Sequence, residues 1–292
     1  MDRGNSSGII IQRQWSIINK DDKMENKLLT VDNLNFGYSG NKFSLSDVSF
    51  SVDKKNFIGI IGRNGSGKST LVKIIAGIYK NYNGTINYKR GGIEKFNERE
   101  LAKIISYLPQ SDILFFEGLK VYDLLLMGRY AYKNFSSFTY NSRDKEIVNK
   151  SIEITGIGEY KDKSLLHLSG GEKQKVLITL ALVQLDITSE LSEKILIIDE
   201  PLTFLDINYQ FEIFSILSKL NTEKDLTIII VTHNLNLALQ YTNKILLLEN
   251  GKIAELGDPK KIINEETLKK YFLINSQILN IDDEYYILTN TK

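Results

Sequence analysis

The 292-residue chain is long enough to bury a substantial core, as one domain with an inserted subdomain or as two small domains. Its 37 basic and 36 acidic residues leave the net charge near zero, which argues against a dedicated nucleic-acid binder carrying a basic face. There is no cysteine, hence no disulfide framework or thiolate chemistry, and no apolar run approaches the roughly 18–20 residues of a membrane-spanning helix.

Residues 1–23 are polar and hold the only tryptophan, Trp15. The short apolar run 9–11 is followed at once by Gln12, Arg13 and Gln14, so it is not the core of a signal peptide. This stretch reads as a disordered leader, with Met24 an alternative start and the domain proper at 24–292. Residues 28–38 and 43–52 alternate apolar and polar positions across a Ser39-Gly40-Asn41 turn, as antiparallel strands with one buried face do. Residues 56–61 are a short apolar run, the pattern of a strand buried on both sides. A glycine-rich loop follows, then an amphipathic helix with Leu71, Ile74, Ile75 and Ile78 on one face. Residues of about 111–185 read mostly helical, notably 121–127 and 145–154, so a helical subdomain is expected near 90–180. From Ile195 strands alternate with helices: strand 195–198, helix near 209–220, strand 226–231, helix near 235–241, strand 244–249. That alternation predicts an α/β fold with a parallel sheet and a helical insert. Asn250-Gly251 then turns the chain into a hairpin, and Asp258-Pro259 is an N-cap and N1 pair opening a terminal helix.

Three segments carry chemistry. Gly62-Arg63-Asn64-Gly65-Ser66-Gly67-Lys68-Ser69-Thr70 satisfies the P-loop pattern, and it sits between a buried strand and an amphipathic helix, as that motif requires. Its glycines let successive backbone N–H groups converge on phosphate oxygens; Lys68 is suited to the β- and γ-phosphates and the Ser69 hydroxyl to Mg²⁺. The run Lys194 to Ile198 brings Asp199 and Glu200 to the carboxyl end of a buried strand, where open α/β sheets bind ligands. Asp199 suits Mg²⁺, and Glu200 can polarise an attacking water. Leu168-Ser169-Gly170-Gly171-Glu172 opens a helix and forms a second anion site, which one nucleotide in one chain does not need. The economical solution is that this loop meets a nucleotide held by a second copy.

In this order these segments resemble the ATPase subunits of ABC transporters across residues 28–292. That family's fold is a P-loop NTPase core with a parallel sheet, a flanking antiparallel β subdomain and an inserted α-helical subdomain. The resemblance makes 168–172 the signature loop, with Glu172 where Gln is usual. It implies that Tyr38 stacks on adenine, that Gln110 after Tyr107-Leu108-Pro109 contacts Mg²⁺ and the attacking water, and that Asp206 after Thr203-Phe204-Leu205 reaches across a dimer. His233 matches the switch histidine at the γ-phosphate; His167 matches no motif and reads as structural. Implied with these are ATP and Mg²⁺ as ligands, a second copy of the chain and transmembrane permease subunits as partners. A substrate-binding protein is an indirect partner, nucleic acid is none, and the location is peripheral, on the cytoplasmic face of the membrane.

Residues 121–130, the segment after His233 (Asn234-Leu235-Asn236-Leu237-Ala238) and the tail 257–288 are similar to importers of iron-siderophores, haem and vitamin B12. Residues 185–193 (LDITSELSE) read as an inserted surface loop, where vitamin B12 and haem importers resemble the chain better. The alternatives are a zinc or manganese importer, an exporter, or a soluble ABC ATPase. A degenerate regulatory module would have lost Lys68, Glu200 or His233, and all three are present.

Overall fold

The computed structural model describes residues 26–38, 44–89, 91–110, 118–133, 139–201, 205–282 and 284–289. The expected leader, the turn at 39–41 and Thr203-Phe204 lie outside the described residues.

Two sheets organise the chain. The first is antiparallel, ordered β2 (Ser44–Asp53), β1 (Lys27–Gly37), β4 (Asn83–Tyr88), β5 (Gly91–Gly92). Alternation in β1 is interrupted by a bulge between Val31 and Leu34, where Asn33 takes φ +49°, so Val31 and Leu34 both stay inside. The second sheet is ordered β10 (Lys252–Gly257), β9 (Lys244–Glu249), β3 (Phe57–Ile61), β8 (Thr227–Val231), β7 (Ile195–Asp199), β6 (Ile105–Leu108). All its neighbours run parallel except β10, which returns antiparallel to β9 through Asn250-Gly251. Every residue of β3, β7 and β8 is buried, which is why these strands read as unbroken apolar runs.

Helices cover both faces. On one face α1 (Lys68–Ile75) buries Leu71, Val72, Ile74 and Ile75 between the two sheets. Ile78 is a correction to the expected apolar stripe: the helix ends at Ile75, Gly77 takes φ +74°, and Ile78 is left 49% exposed. Next come α2 (Glu98–Ile104) and, between β6 and β7, the helices α3 (Val121–Met127), α4 (Ser142–Thr155) and α5 (Gly170–Leu185). These three share an apolar core built from Leu124, Leu125, Ile147, Val148, Val176 and Val183. The opposite face of the parallel sheet is covered by α5 and by α6 (Ile207–Lys224), with Phe57 and Phe214 stacked at 6.1 Å between ring centroids. After β8 comes α7 (Leu235–Tyr241), and after β10 a single turn, α8 (Pro259–Ile262), capped by the Asp258 side chain with proline at its start.

Two further findings depart from the sequence expectations. Residues 185–193 are not simply a surface loop: Ile187 and Leu191 are each 2% exposed and belong to the core under α5 and α6. The physical reason is a turn at Asp186 (φ +57°), which folds the two apolar side chains back inward. The helix opened by Asp258-Pro259 is not terminal: residues 276–289 form a hairpin that no sequence pattern marked, β11 (Ser276–Ile281) with β12 (Glu284–Thr289), held on α7 by the Asn236 side chain, which accepts from Ile287 N at 2.7 Å. His167 is exposed, in a short 3-10 turn before the Ser169 loop.

Candidate functional site

Strand order decides which loops meet. The neighbours β3, β8, β7 and β6 lie side by side and parallel, so all four carboxyl ends open on one edge of the sheet. Their register is level: Ile60 faces Val231, Val231 faces Asp199, and Ile198 faces Leu108. The loop 62–67 therefore leaves β3 beside His233 after β8, Asp199-Glu200 at the end of β7 and Gln110 after β6.

Gly62 takes φ +146°, and a Cβ there would lie 2.2 Å from the Leu248 carbonyl oxygen, so the loop lies directly on β9 and only glycine fits. The Ser66 carbonyl accepts from Gly251 N at 3.0 Å, which ties the loop to the β9–β10 turn. Lys68 is buried and donates to the Gly62 and Arg63 carbonyls at 2.9 and 3.1 Å, bridging its own loop. Burial lowers its pKa, opposed by the charges of Glu200 and Asp199. Arg63 and Asn64 are exposed, a Cβ at Gly65 would meet nothing within 4 Å, and Gly67 (φ +105°) leads into α1. Tyr38 lies alongside, its hydroxyl 3.0 Å from Thr70 Oγ1 and its ring edge-on to Phe36 and Tyr79.

Asp199 is almost fully buried and accepts twice, from Ser69 Oγ at 2.9 Å and from the Tyr107 hydroxyl at 3.1 Å. Burial raises its pKa against the pull of these two donors. Tyr107 is pushed well above the ordinary phenol value, by burial first and the Asp199 charge second, so it remains a donor at any physiological pH. In the sequence Tyr107 is only the approach to Gln110, and no sequence signal places it one strand over from Asp199; the β6–β7 pairing does.

Glu200 is where three strand ends converge. Its Oε2 accepts from Gln110 Nε2 at 2.6 Å, and its Oε1 lies 2.8 Å from His233 Nε2. Opposite a carboxylate oxygen, His233 Nε2 is the donor of this bond. Glu200 also sits at φ +51°, a left-handed backbone that costs a non-glycine residue about 1–3 kcal/mol. A cavity of about 740 Å³ opens here, lined by Asn64, Gln110, Glu200, Thr232 and His233 among others.

These residues fit a phosphate ester with a hard cation. Among the described residues Ser66 Oγ is a buried hydroxyl with no partner, in the glycine-rich loop, and Lys68 supplies buried positive charge beside it. Ser69 and Asp199 put two oxygen ligands 2.9 Å apart. Among the described residues no group of three His, Cys, Asp or Glu could hold a metal. A hard cation held by these two oxygens would take its other ligands from phosphate and water.

The second anion loop is elsewhere. Ser169 caps α5, its Oγ accepting from Glu172 N at 3.3 Å while Glu172 Oε2 accepts from Ser169 N at 2.7 Å. That backbone bond holds the Glu172 carboxyl below its usual value. A Cβ on Gly171 would lie 2.4 Å from the Tyr209 ring, whereas one on Gly170 would make ordinary contact with Leu205 at 3.6 Å. Asp206 caps α6, accepting from Tyr209 N at 3.0 Å. Among the described residues no hydrogen bond joins 169–172 to 62–70. The structure thus brings Gly62 to Thr70, Gln110, Asp199, Glu200 and His233 together and leaves Ser169, Gly170, Gly171, Glu172 and Asp206 as a separate group against α6.

A strand-flanked P-loop with acidic and histidine strand ends on one sheet edge defines the P-loop nucleotide-binding class. Residues 45–203 match the family model described as ABC transporter. Over 252 residues the chain is 32% identical to the iron(3+)-hydroxamate import ATP-binding protein FhuC of Bacillus subtilis (strain 168), covering 86% of this chain and 90% of that one. Over 254 residues it is 31% identical to the ferric enterobactin transport ATP-binding protein FepC of Escherichia coli (strain K12), covering 86% and 89%. Among solved structures it resembles an inward-facing ABC transporter assigned to the metal-chelate type, with TM-score 0.77, 25% identity and coverage of 91% and 99%. The chain belongs to the ABC transporter family.

Proposed function

We propose that the chain is the ATP-hydrolysing subunit of an ABC importer and that two copies power uptake of an iron-chelate cargo. The observation that carries the ATPase reading is the single carboxylate of Glu200 shared by Gln110 and His233, beside Lys68, Ser69 and Asp199. The cargo reading is supported by the importers of iron(3+)-hydroxamate and ferric enterobactin that the chain resembles over most of its length. No helix of the described residues is long and apolar enough to cross a membrane, so the reading assigns the pathway to separate permease subunits. The chain would then sit against them on the cytoplasmic face, with a substrate-binding protein as an indirect partner.

In this reading the loop 62–67 and Lys68 hold the β- and γ-phosphates of ATP, and Tyr38 gives the adenine a face. Ser69, Asp199 and Gln110 hold Mg²⁺, which when bound neutralises charge on the phosphate oxygens. Glu200 takes the proton of the attacking water, and its two hydrogen bonds aim the carboxylate before the reaction begins. His233 stands at the γ-phosphate, its Nε2 tied to the carboxylate that takes the proton. Ser169, Gly170 and Gly171 serve the nucleotide of the second copy, with Glu172 and Asp206 bracing the helix starts beside it, because they lie apart from their own P-loop.

The test is complementation in mixed dimers, with the chain reconstituted beside its permease in vesicles. Gly170→Asp is the right lesion for the trans loop, since Gly171→Asp would also collide with Tyr209. Each of Gly170→Asp and Lys68→Ala alone should lose Mg²⁺-dependent hydrolysis and uptake of a ferric hydroxamate; mixing them should restore part of both. Hydrolysis at wild-type level in Gly170→Asp would refute the trans assignment. Intact hydrolysis without iron-chelate uptake would refute the cargo.

A further inference from the structure

Asp206 and His233 sit on different loops, and one side chain joins those loops within a single chain. Asn234, next to His233, caps α7: its Oδ1 accepts from Leu237 N at 3.1 Å. That bond leaves only the Nδ2 end of Asn234 to face away, and Nδ2 donates to Gln210 Oε1 at 3.0 Å. Gln210 in turn donates through Nε2 to the Leu205 carbonyl at 2.9 Å, the residue before Asp206. Neither amide can turn over: a flipped Gln210 would set NH₂ against NH₂ at one end and oxygen against oxygen at the other. The α7 helix start therefore dictates the orientation of Asn234, then of Gln210, and through it the Leu205 carbonyl. Asn234 N also donates to Thr232 Oγ1 at 3.1 Å, so the residues on both sides of His233 belong to the same network. At its other end Leu205 touches the place where a Gly170 side chain would begin, and the Tyr209 ring covers Gly171.

We propose that Gln210 is a positioning residue that locks the Leu205-Asp206 loop to the loop carrying His233, so that the two shift as one body. This rests on the ATPase reading above and extends it. A change at the loop where a second copy docks would reach His233 through two fixed amides instead of through solvent. Gln210 itself touches no reacting atom in this scheme. Its effect is on where His233 stands, and a misplacement of about 1 Å is worth up to roughly a hundredfold in rate.

The test replaces Gln210 by Met, which keeps length and helix propensity but removes both hydrogen bonds, and by Glu, which keeps the acceptor for Asn234 and loses the donor to Leu205. Backbone hydrogen exchange is read first, on the nucleotide-free protein. Gln210→Met should speed exchange at Leu237 and at Tyr209 together, with the melting temperature unchanged; Gln210→Glu should speed Tyr209 and spare Leu237. Faster exchange confined to α6 in Gln210→Met would overturn the proposal. Steady-state hydrolysis is read second. Turnover of Gln210→Met should fall roughly ten- to a hundredfold with ATP affinity unchanged. In single-turnover assays on a His233→Ala background, the same substitution should cost less than twofold, because the group it positions is gone. Turnover within twofold of the parent, or full additivity with His233→Ala, would overturn it. If instead the parent protein itself fails to hydrolyse ATP, the ATPase reading falls, while the exchange data still decide the lock.

Discussion

Glu200→Gln separates the proposed chemistry from the architecture around it. Both carboxylate oxygens are engaged, Oε2 by Gln110 at 2.6 Å and Oε1 by His233 at 2.8 Å. An amide of the same size keeps one acceptor, and Gln110 can turn its own amide over to accept from the new NH₂, so both contacts survive in neutral form. Two charge-assisted bonds of about 1.5–3 kcal/mol each become neutral ones of about 0.5–1.5, a modest loss for the nucleotide-free fold. The backbone at φ +51° costs Gln what it costs Glu. What disappears is the proton acceptor, so hydrolysis should fall by about 10²–10⁴, equivalent to roughly 3–5 kcal/mol of barrier. ATP affinity should change by no more than a few-fold, because Lys68 and the loop glycines are untouched. Steady-state phosphate release and calorimetric nucleotide titration measure the two quantities side by side. Turnover within tenfold of the parent, or an affinity loss as large as the rate loss, would refute the role given to Glu200.

Lys68→Ala should weaken ATP binding by roughly 10–100-fold, the worth of one lost charge-assisted contact, and calorimetric titration reads it directly. Arg129→Met should strongly destabilise the insert. The Arg129 guanidinium donates to Asp144 at 3.1 Å and to the Val183 carbonyl at 2.9 Å, and it approaches Asp186 at 3.5 Å, all nearly buried. Leaving Asp144 uncompensated costs about 3 kcal/mol, a fall of roughly 6–12 °C by differential scanning calorimetry; a change under 2 °C would contradict this. Asp199→Asn should abolish hydrolysis yet raise the melting temperature of the nucleotide-free protein. Burial raises the Asp199 pKa on folding, so its charge burdens the fold above the folded-state pKa, and the burden lifts as pH falls through that value. The gain in melting temperature should therefore be present at pH 7 and vanish near pH 3; a gain that grows on acidification would reverse the assignment.

Much of this molecule is legible in local sequence because local rules produced it. The apolar runs of β3, β7 and β8 announce strands covered on both faces, and Gly62 to Thr70 announces a phosphate loop, since only closely spaced glycines allow that backbone. Asn250-Gly251 and Asp258-Pro259 mark their turns through the same short-range preferences. Elsewhere the local pattern misleads or is silent. Ile78 continues the apolar spacing of α1 but follows the Gly77 turn, and Ile187 and Leu191 lie in what reads as a loop. The β11–β12 hairpin has Asp282-Asp283 and no glycine between its strands, so no turn signature gives it away. The resemblance sets Gln110, Glu200 and His233 around one phosphate, but the Glu200 carboxylate that the other two share, the donor Tyr107 on Asp199, and the Gln210–Asn234 amide pair come from tertiary structure alone. They depend on β3, β8, β7 and β6 lying next to one another in level register. That order is set by hydrogen-bond ladders and crossover packing between strands up to about 170 residues apart, for instance Phe57 with Ile228. Periodicity within a segment can say that a strand is buried, but which strand it lies beside is an energy shared between segments, and it exists only once they pack.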